Sequence, residues 1–264
     1  MIAWEIKNNQ EAIQQGRDPD TLQNGLVPCF IIEVEPIGNQ GGNIIWEWHA
    51  WDHLIQDFDI TKENYGVVQN SPELIDINFA NANRDWLHIN SIDYNEEFDQ
   101  ILLSVNNFNE IWVIDHSTTT EEAAAHTGGR YGKGGDILYR WGNPQAYKIG
   151  GYNDKMLFQQ HDARWIEAGY PGEGNIMIFN NGDYRPGGSR TTIDEIIPPV
   201  DNNGYYYYTP GEPYDPEVQT WIYNTGFYAY YIGGALRTPS GNTLICNGPS
   251  GKFLEVNPQN EIVW

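Results

Sequence analysis

A repeated unit constrains this chain more than anything else in it. Residues 86–94, 101–105, 111–115 and 137–141 read as four short strands separated by polar turns, the last ending in Trp141. The plan returns at 158–166, 175–179, 191–197 and 218–223, and again at 230–236, 243–246, 253–256 and 261–264, where Gly241-Asn242 supplies a tight hairpin turn. Ahead of these lies a shorter unit, 2–6, 30–34 and 44–48, in which the first strand is the one missing. Repeats of four short strands, each closing on aromatic residues, predict an all-β chain: a β-propeller with four-stranded blades, about three and a half of them present. The expected organisation is one domain, with a partial blade at 1–49, a connector at 50–84, and blades at 85–143, 156–226 and 230–264. An arc of that size does not close alone, so more chain, a homo-oligomer or an open arc is expected.

Composition supports the strand reading. Aromatics make up 14% of the chain, with ten Trp and seventeen Tyr, and side chains of this kind suit pleated, half-buried surfaces. The formal charge of −22 opposes nucleic acid and anionic membranes as partners, and an anionic ligand would need local donors to overcome the general field. No apolar stretch approaches the roughly 20 residues that cross a bilayer. Residues 1–6 have no basic head and read as mid-strand, so an upstream portion of a longer protein is expected and compartment is left open. Cys29 and Cys246 stand in no metal-like spacing; buried thiols are the favoured reading over a disulfide. In the connector, 51–55 suggests a short helix and 64–83 an irregular loop, while Ser117 or Thr119 followed by Glu121-Glu122 suggests a helix start.

The chemistry centres on two histidines. His88 lies in Asp85-Trp86-Leu87-His88-Ile89-Asn90-Ser91 and His161 in Gln159-Gln160-His161-Asp162-Ala163-Arg164-Trp165, each opening its unit, and the pattern predicts matching positions for the two. In a propeller such positions converge on one channel. The competing reading makes both core histidines satisfied by backbone carbonyls. Arg190 or Arg164 could bring a cation to the channel, although solvated arginines are commoner. Residues 205–208 and 227–231 are Tyr-rich and could form an aromatic wall for a ligand, although packing is the plainer use of such residues. His49 and His53 share an i, i+4 spacing but lack an evident third ligand, so no metal is expected, and His116 and His126 read as surface residues. The Gly-rich stretch 128–135 lacks the Lys-Ser/Thr ending of a phosphate loop.

The segments DWLHINSIDYNEEFDQILLS (85–104), QQHDARWI (159–166), GNIMIFNNGDYR (174–185), VQTWIY (218–223) and GNTLICNG (241–248) resemble, in order, those of the bacterial arylsulfotransferases, and WEWHAWDH (46–53) resembles a connector in one branch of that family. The resemblance implies a six-bladed propeller whose channel moves a sulfuryl group from an aryl sulfate to a phenol, with no cofactor and no nucleotide donor. It implies that His161 carries the sulfuryl group, that His88 and Asn90 bind and polarise its oxygens, and that Tyr228 and Tyr230 lie beside the site. Arg190 and Asn106 complete the substrate-binding candidates; at Asn106 the family often has an arginine. A further family histidine would lie upstream of Met1. The family is usually exported. A non-catalytic propeller binding a small ligand or protein through its channel is the alternative.

Overall fold

The computed structural model describes residues 1–80 and 84–264, and within them it is all-β, with 16 strands and little helix. Strands β1 (Ile2–Trp4), β2 (Cys29–Ile37) and β3 (Gly41–His49) form one antiparallel sheet. Two short strands, β4 (Leu54–Ile55) and β5 (Ile75–Asp76), pair in parallel within the connector. The next sheet is a four-strand meander of β6 (Ile89–Asn95), β7 (Gln100–Val105), β8 (Glu110–Asp115) and β9 (Tyr139–Trp141). A second meander follows the same order: β10 (His161–Trp165), β11 (Ile176–Asn180), β12 (Thr192–Ile196) and β13 (Trp221–Asn224). Strands β14 (Gly234–Arg237), β15 (Thr243–Asn247) and β16 (Lys252–Val256) make a three-stranded sheet. None of these sheets closes on itself.

Within each four-stranded sheet, burial separates the strands by role. The middle strands β7, β8, β11 and β12 are buried along their whole length, because both faces are covered. The leading strands β6 and β10 are only partly buried. They are stitched to each other across sheets: Ala163 N donates to Ser91 Oγ at 3.0 Å and Trp165 N to Asp93 Oδ2 at 2.8 Å. The stitch repeats one sheet further on, where Ala235 N donates to Asp162 Oδ2 at 2.9 Å. The leading strands therefore run side by side at one edge of successive sheets, which brings their first residues into one neighbourhood.

Two buried ion pairs brace the middle strands. Arg140 on β9 donates to Glu110 on β8, and both side chains are sealed from solvent. The remaining donors and acceptors are met: Trp112 Nε1 donates to Glu110 at 2.8 Å, and Arg140 Nη1 donates to the Pro72 and Leu74 carbonyls at 3.0 Å. Arg237 on β14 pairs with Glu195 on β12 and also reaches the Gly241 carbonyl, tying two sheets together. Charges removed from water at such cost hold only when paired and hydrogen-bonded.

The connector and the chain end differ from the sequence reading. In place of a helix at 51–55 there is one 3-10 turn, Ala50–Asp52, followed directly by β4, since Leu54 and Ile55 bury better as a strand pairing with β5 than on a lone helical turn. The stretch 64–80 contains a 3-10 turn and β5; the expected loop's last residues, 81–83, lie outside the described residues. Residues 261–264 form no full strand, but they run antiparallel to the end of β16 through the bridge of Val256 to Ile262 and backbone hydrogen bonds between Glu255 and Val263 and Trp264. A six-residue helix, Asn9–Gln14, capped by Asn8, had no expectation. Thr119 caps the short helix Thr120–Ala123, reciprocally with Glu122. Both cysteines are free, and burial raises the Cys29 thiol to about 11.

Candidate active site

Each leading strand begins with a distortion. His88 has φ +51° and Gln159 φ +56°, left-handed conformations that interrupt the ladder before β6 and β10 start. A bulge follows in each: between Ile89 and Ser91 on β6, and between His161 and Arg164 on β10. Bulges re-aim side chains and recur beside functional sites.

These landmarks fix how the two repeats superpose, and they correct the sequence alignment. Asn107 N donates to the Leu87 carbonyl, and Gly182 N donates to the Phe158 carbonyl. Leu87 therefore corresponds to Phe158, His88 to Gln159, and Asn90 to His161. Ser91 and Asp162 then match as the acceptors of the inter-sheet stitch. The two histidines are not equivalent: aligning them by identity shifts the register by two residues, which the left-handed residue reveals and the letters hide. One consequence is that His161 and Asn90 occupy the same level on adjacent strands, with His88 before them.

His161 is partly buried, and its Nδ1 lies 2.8 Å from Asn181 Oδ1. Asn181 Nδ2 donates to the carbonyls of Ala229 at 2.8 Å and Ile232 at 3.2 Å. Since both amide protons are thus engaged, Oδ1 faces the ring and must accept. His161 then carries its proton on Nδ1, and Nε2 holds the lone pair. Burial lowers the pKa of His161; the Asn181 contact and the Gln159 carbonyl oppose the shift, and the charge of His88 adds to it.

His88 is tuned the other way. Its Nδ1 meets Asp85 Oδ2 at 2.5 Å, and this carboxylate raises its pKa against a smaller effect of burial. The surroundings of His161 favour its neutral form, and those of His88 favour its protonated form. Divergent tuning of paired groups is how acid and base roles are separated at one pH.

Asn90 and Asn106 both donate from Nδ2 to the Gln160 carbonyl at 2.9 Å. They fix the peptide immediately before His161. Asn90 Oδ1 is buried with no partner, and its second amide proton is left to donate elsewhere. Asn106, buried, is the counterpart of Asn181: each sends its amide to a carbonyl just ahead of the leading strand of the next sheet.

The other candidates are distributed unevenly. Tyr228 and Tyr230 are exposed on the segment that hangs from Asn181 through Ala229, with Tyr228 Oη 2.5 Å from Asp183 Oδ1. Arg190 is exposed, and its Nη1 donates to the Pro186 and Gly188 carbonyls of its own turn. Arg164 pairs with Asp162. Tyr206 stacks on Tyr139 and Tyr208 on Tyr214, a packing role. His49 ends a strand, not a helix, between Glu5 and Glu47, and His116 is partly buried between Asp99 and Glu33.

Four residues escaped the sequence reading. Asn181 was within a quoted segment, and Asp85 stands three before His88, but neither type announces an orienting role. Lys155 Nζ and Arg185 Cζ lie 4.8 and 5.3 Å from the ring centre of Phe158, three residues before His161. Burial lowers Lys155 to about 8 and also lowers Arg185. Two half-buried cations are a notable local exception in so acidic a protein.

Adjacent meander sheets, stitched through their leading strands, define an all-β protein with His161, His88 and Asn90 at the head of those strands. The chain belongs to the arylsulfotransferase (ASST) family, whose model matches residues 10–263. No curated protein matches it. Among solved structures, a protein of unknown function from Bacteroides caccae is similar at 15% identity with a TM-score of 0.35, over 67% of this chain and 45% of that one. The alignment thus spans less than half of that protein's length.

Proposed function

We propose that this chain is an aryl-sulfate sulfotransferase in which His161 Nε2 carries the sulfuryl group between donor and acceptor. His161 Nε2 attacks the sulfur of an aryl sulfate; the S–N bond forms as the bond from sulfur to the aryl oxygen breaks. The His88 imidazolium gives its proton to the departing phenolate. A second phenol then enters, the now neutral His88 takes its proton, and the phenol oxygen attacks sulfur as the S–N bond breaks. Asn90, with its free amide proton, and the His88 cation stabilise charge on the sulfuryl oxygens. Tyr228 and Tyr230 form the aromatic wall for the phenols.

The scaffold is a propeller arc: a partial blade at 1–49, a connector at 50–84, and blades at 85–143, 156–226 and 230–264. Support comes from the common meander order and the repeated stitch between leading strands, whose open faces line the channel. The observation that carries the reaction is the opposed tuning of the two imidazoles, with the lone pair of His161 fixed on Nε2 by Asn181.

The test is 4-nitrophenyl sulfate with a phenol acceptor. Nitrophenolate release that depends on the acceptor and disappears in His161→Ala is expected. The second reading, a channel that binds without turnover, draws on Asn106, whose amide is engaged by the Gln160 carbonyl where the family often has a cation. Saturable binding of the aryl sulfate with no release, unchanged in His161→Ala, would establish that reading instead.

A further inference from the structure

The strongest cluster outside the imidazole pair joins the connector to the loop between β8 and β9. His53 Nδ1 and His126 Nδ1 each lie 2.8 Å from the same oxygen, Asp136 Oδ1. His53 is fully buried, Asp136 nearly so, and His126 is exposed. Among the described residues, these three bring their ligand atoms within 4.8 Å of one another.

The wiring of His53 matters most. Its Nε2 is 2.9 Å from the Ala123 carbonyl, which can only accept, so Nε2 carries a proton. In the neutral ring Nδ1 is then a lone pair aimed at a carboxylate oxygen, with His126 Nδ1 aimed at the same oxygen. One carboxylate oxygen thus meets two imidazole nitrogens, and a cation shared by the three groups can take the place of the ring protons between them. A ring proton donated to a backbone carbonyl is also the usual outer support of a metal-bound histidine. The backbone at Gly135 is pressed against this ring: a Cβ there would come 2.6 Å from His53 Nε2. Trp48, stacked on His53 with centroids 5.7 Å apart, closes the other side and donates to the Gly135 carbonyl at 2.7 Å.

We propose that His53, His126 and Asp136 form a binding site for a divalent transition-metal ion of the zinc type. Two imidazoles and one carboxylate suit such an ion, and the exposed His126 side leaves a fourth position open to water and to entry. Ligand bonds of about 2.0–2.1 Å imply tetrahedral edges of about 3.3 Å, so each 2.8 Å contact opens by about half an ångström on loading. The i, i+4 partner seen in the sequence, His49, takes no part. The bound ion would link two segments 83 residues apart, His53 and Asp136, and so brace the connector against the sheet. The site uses none of the residues assigned to sulfuryl transfer and does not depend on that reading.

The experiment titrates metal-stripped protein with zinc by calorimetry and with cobalt(II) by visible absorption. Expected are one equivalent of saturable zinc, tetrahedral-type cobalt bands, and a rise in Tm on loading. His126→Ala, on an exposed side chain, should weaken zinc at least about tenfold and abolish the cobalt bands; Asp136→Asn should do the same, and His49→Ala should change neither. Absence of saturable zinc binding in the parent protein, or equal affinity in His126→Ala, would overturn the proposal, leaving a histidine–carboxylate hydrogen-bond cluster.

Discussion

Asn181 Oδ1 accepts from His161 Nδ1 at 2.8 Å, while its Nδ2 holds the Ala229 and Ile232 carbonyls. One amide thereby fixes the tautomer of the His161 imidazole and suspends the aromatic segment that contains Ala229.

Removing that amide should damage catalysis more than donor binding. Asn181→Ala is expected to lower kcat about 100-fold, the scale of a misplaced reacting group, with a smaller change in KM. Asn181→Asp keeps an acceptor for Nδ1 but adds a negative charge, which favours the imidazolium. Its acid limb in the pH–rate profile should move to higher pH. Steady-state rates on 4-nitrophenyl sulfate decide both.

The pH dependence follows from the two shifts. His161 must be neutral, and its folded pKa lies below the usual 6.5; His88 must be protonated, and its folded pKa lies above 6.5. Activity should therefore plateau around pH 6.5, falling on the acid side as His161 protonates and on the alkaline side as His88 loses its proton. The two limbs belong to a coupled pair. Asp85→Asn removes the main cause of the His88 shift, so its alkaline limb should move to lower pH while the acid limb stays nearly in place.

Asn106 holds the Gln160 carbonyl together with Asn90. Because the carbonyl keeps a donor, Asn106→Ala should cost only about 1 kcal/mol of stability. KM for the aryl sulfate should be unchanged if the residue positions backbone and does not touch donor. Urea unfolding and a KM measurement separate the two roles.

The Glu110–Arg140 pair is sealed from solvent. Glu110→Gln leaves a buried guanidinium without its counter-charge and should destabilise by about 3–5 kcal/mol, read from the urea midpoint. Replacing both partners by Met and Leu should recover much of that loss.

Much of the sheet order was legible because strand chemistry is local. The expected strand at 101–105 is Gln100–Val105, and that at 111–115 is Glu110–Asp115; apolar runs bounded by turn residues left little freedom. The leading strands were less legible. Each begins later than its apolar pattern suggests, since the left-handed His88 and Gln159 break the ladder, and left-handed non-glycine residues leave no mark in sequence. The same blindness shifted the register of the repeats. His161, His88 and Asn90 stood out by type and context, but Asn181 and Asp85 act through second contacts made only after folding. His126 is exposed, as its sequence context suggested; its contact with Asp136 was not legible, because Asp136 owes its place to a Gly-rich loop that pattern reading passes over.

The central claim is that sulfur becomes bonded to His161, and the most direct measurement is peptide mass analysis after a short reaction with 4-nitrophenyl sulfate and no acceptor. The account predicts one added SO3 group on the peptide containing His161, lost when phenol is supplied. Continued transfer to phenol with no such adduct, or an adduct on another residue that forms equally in His161→Ala, would contradict it.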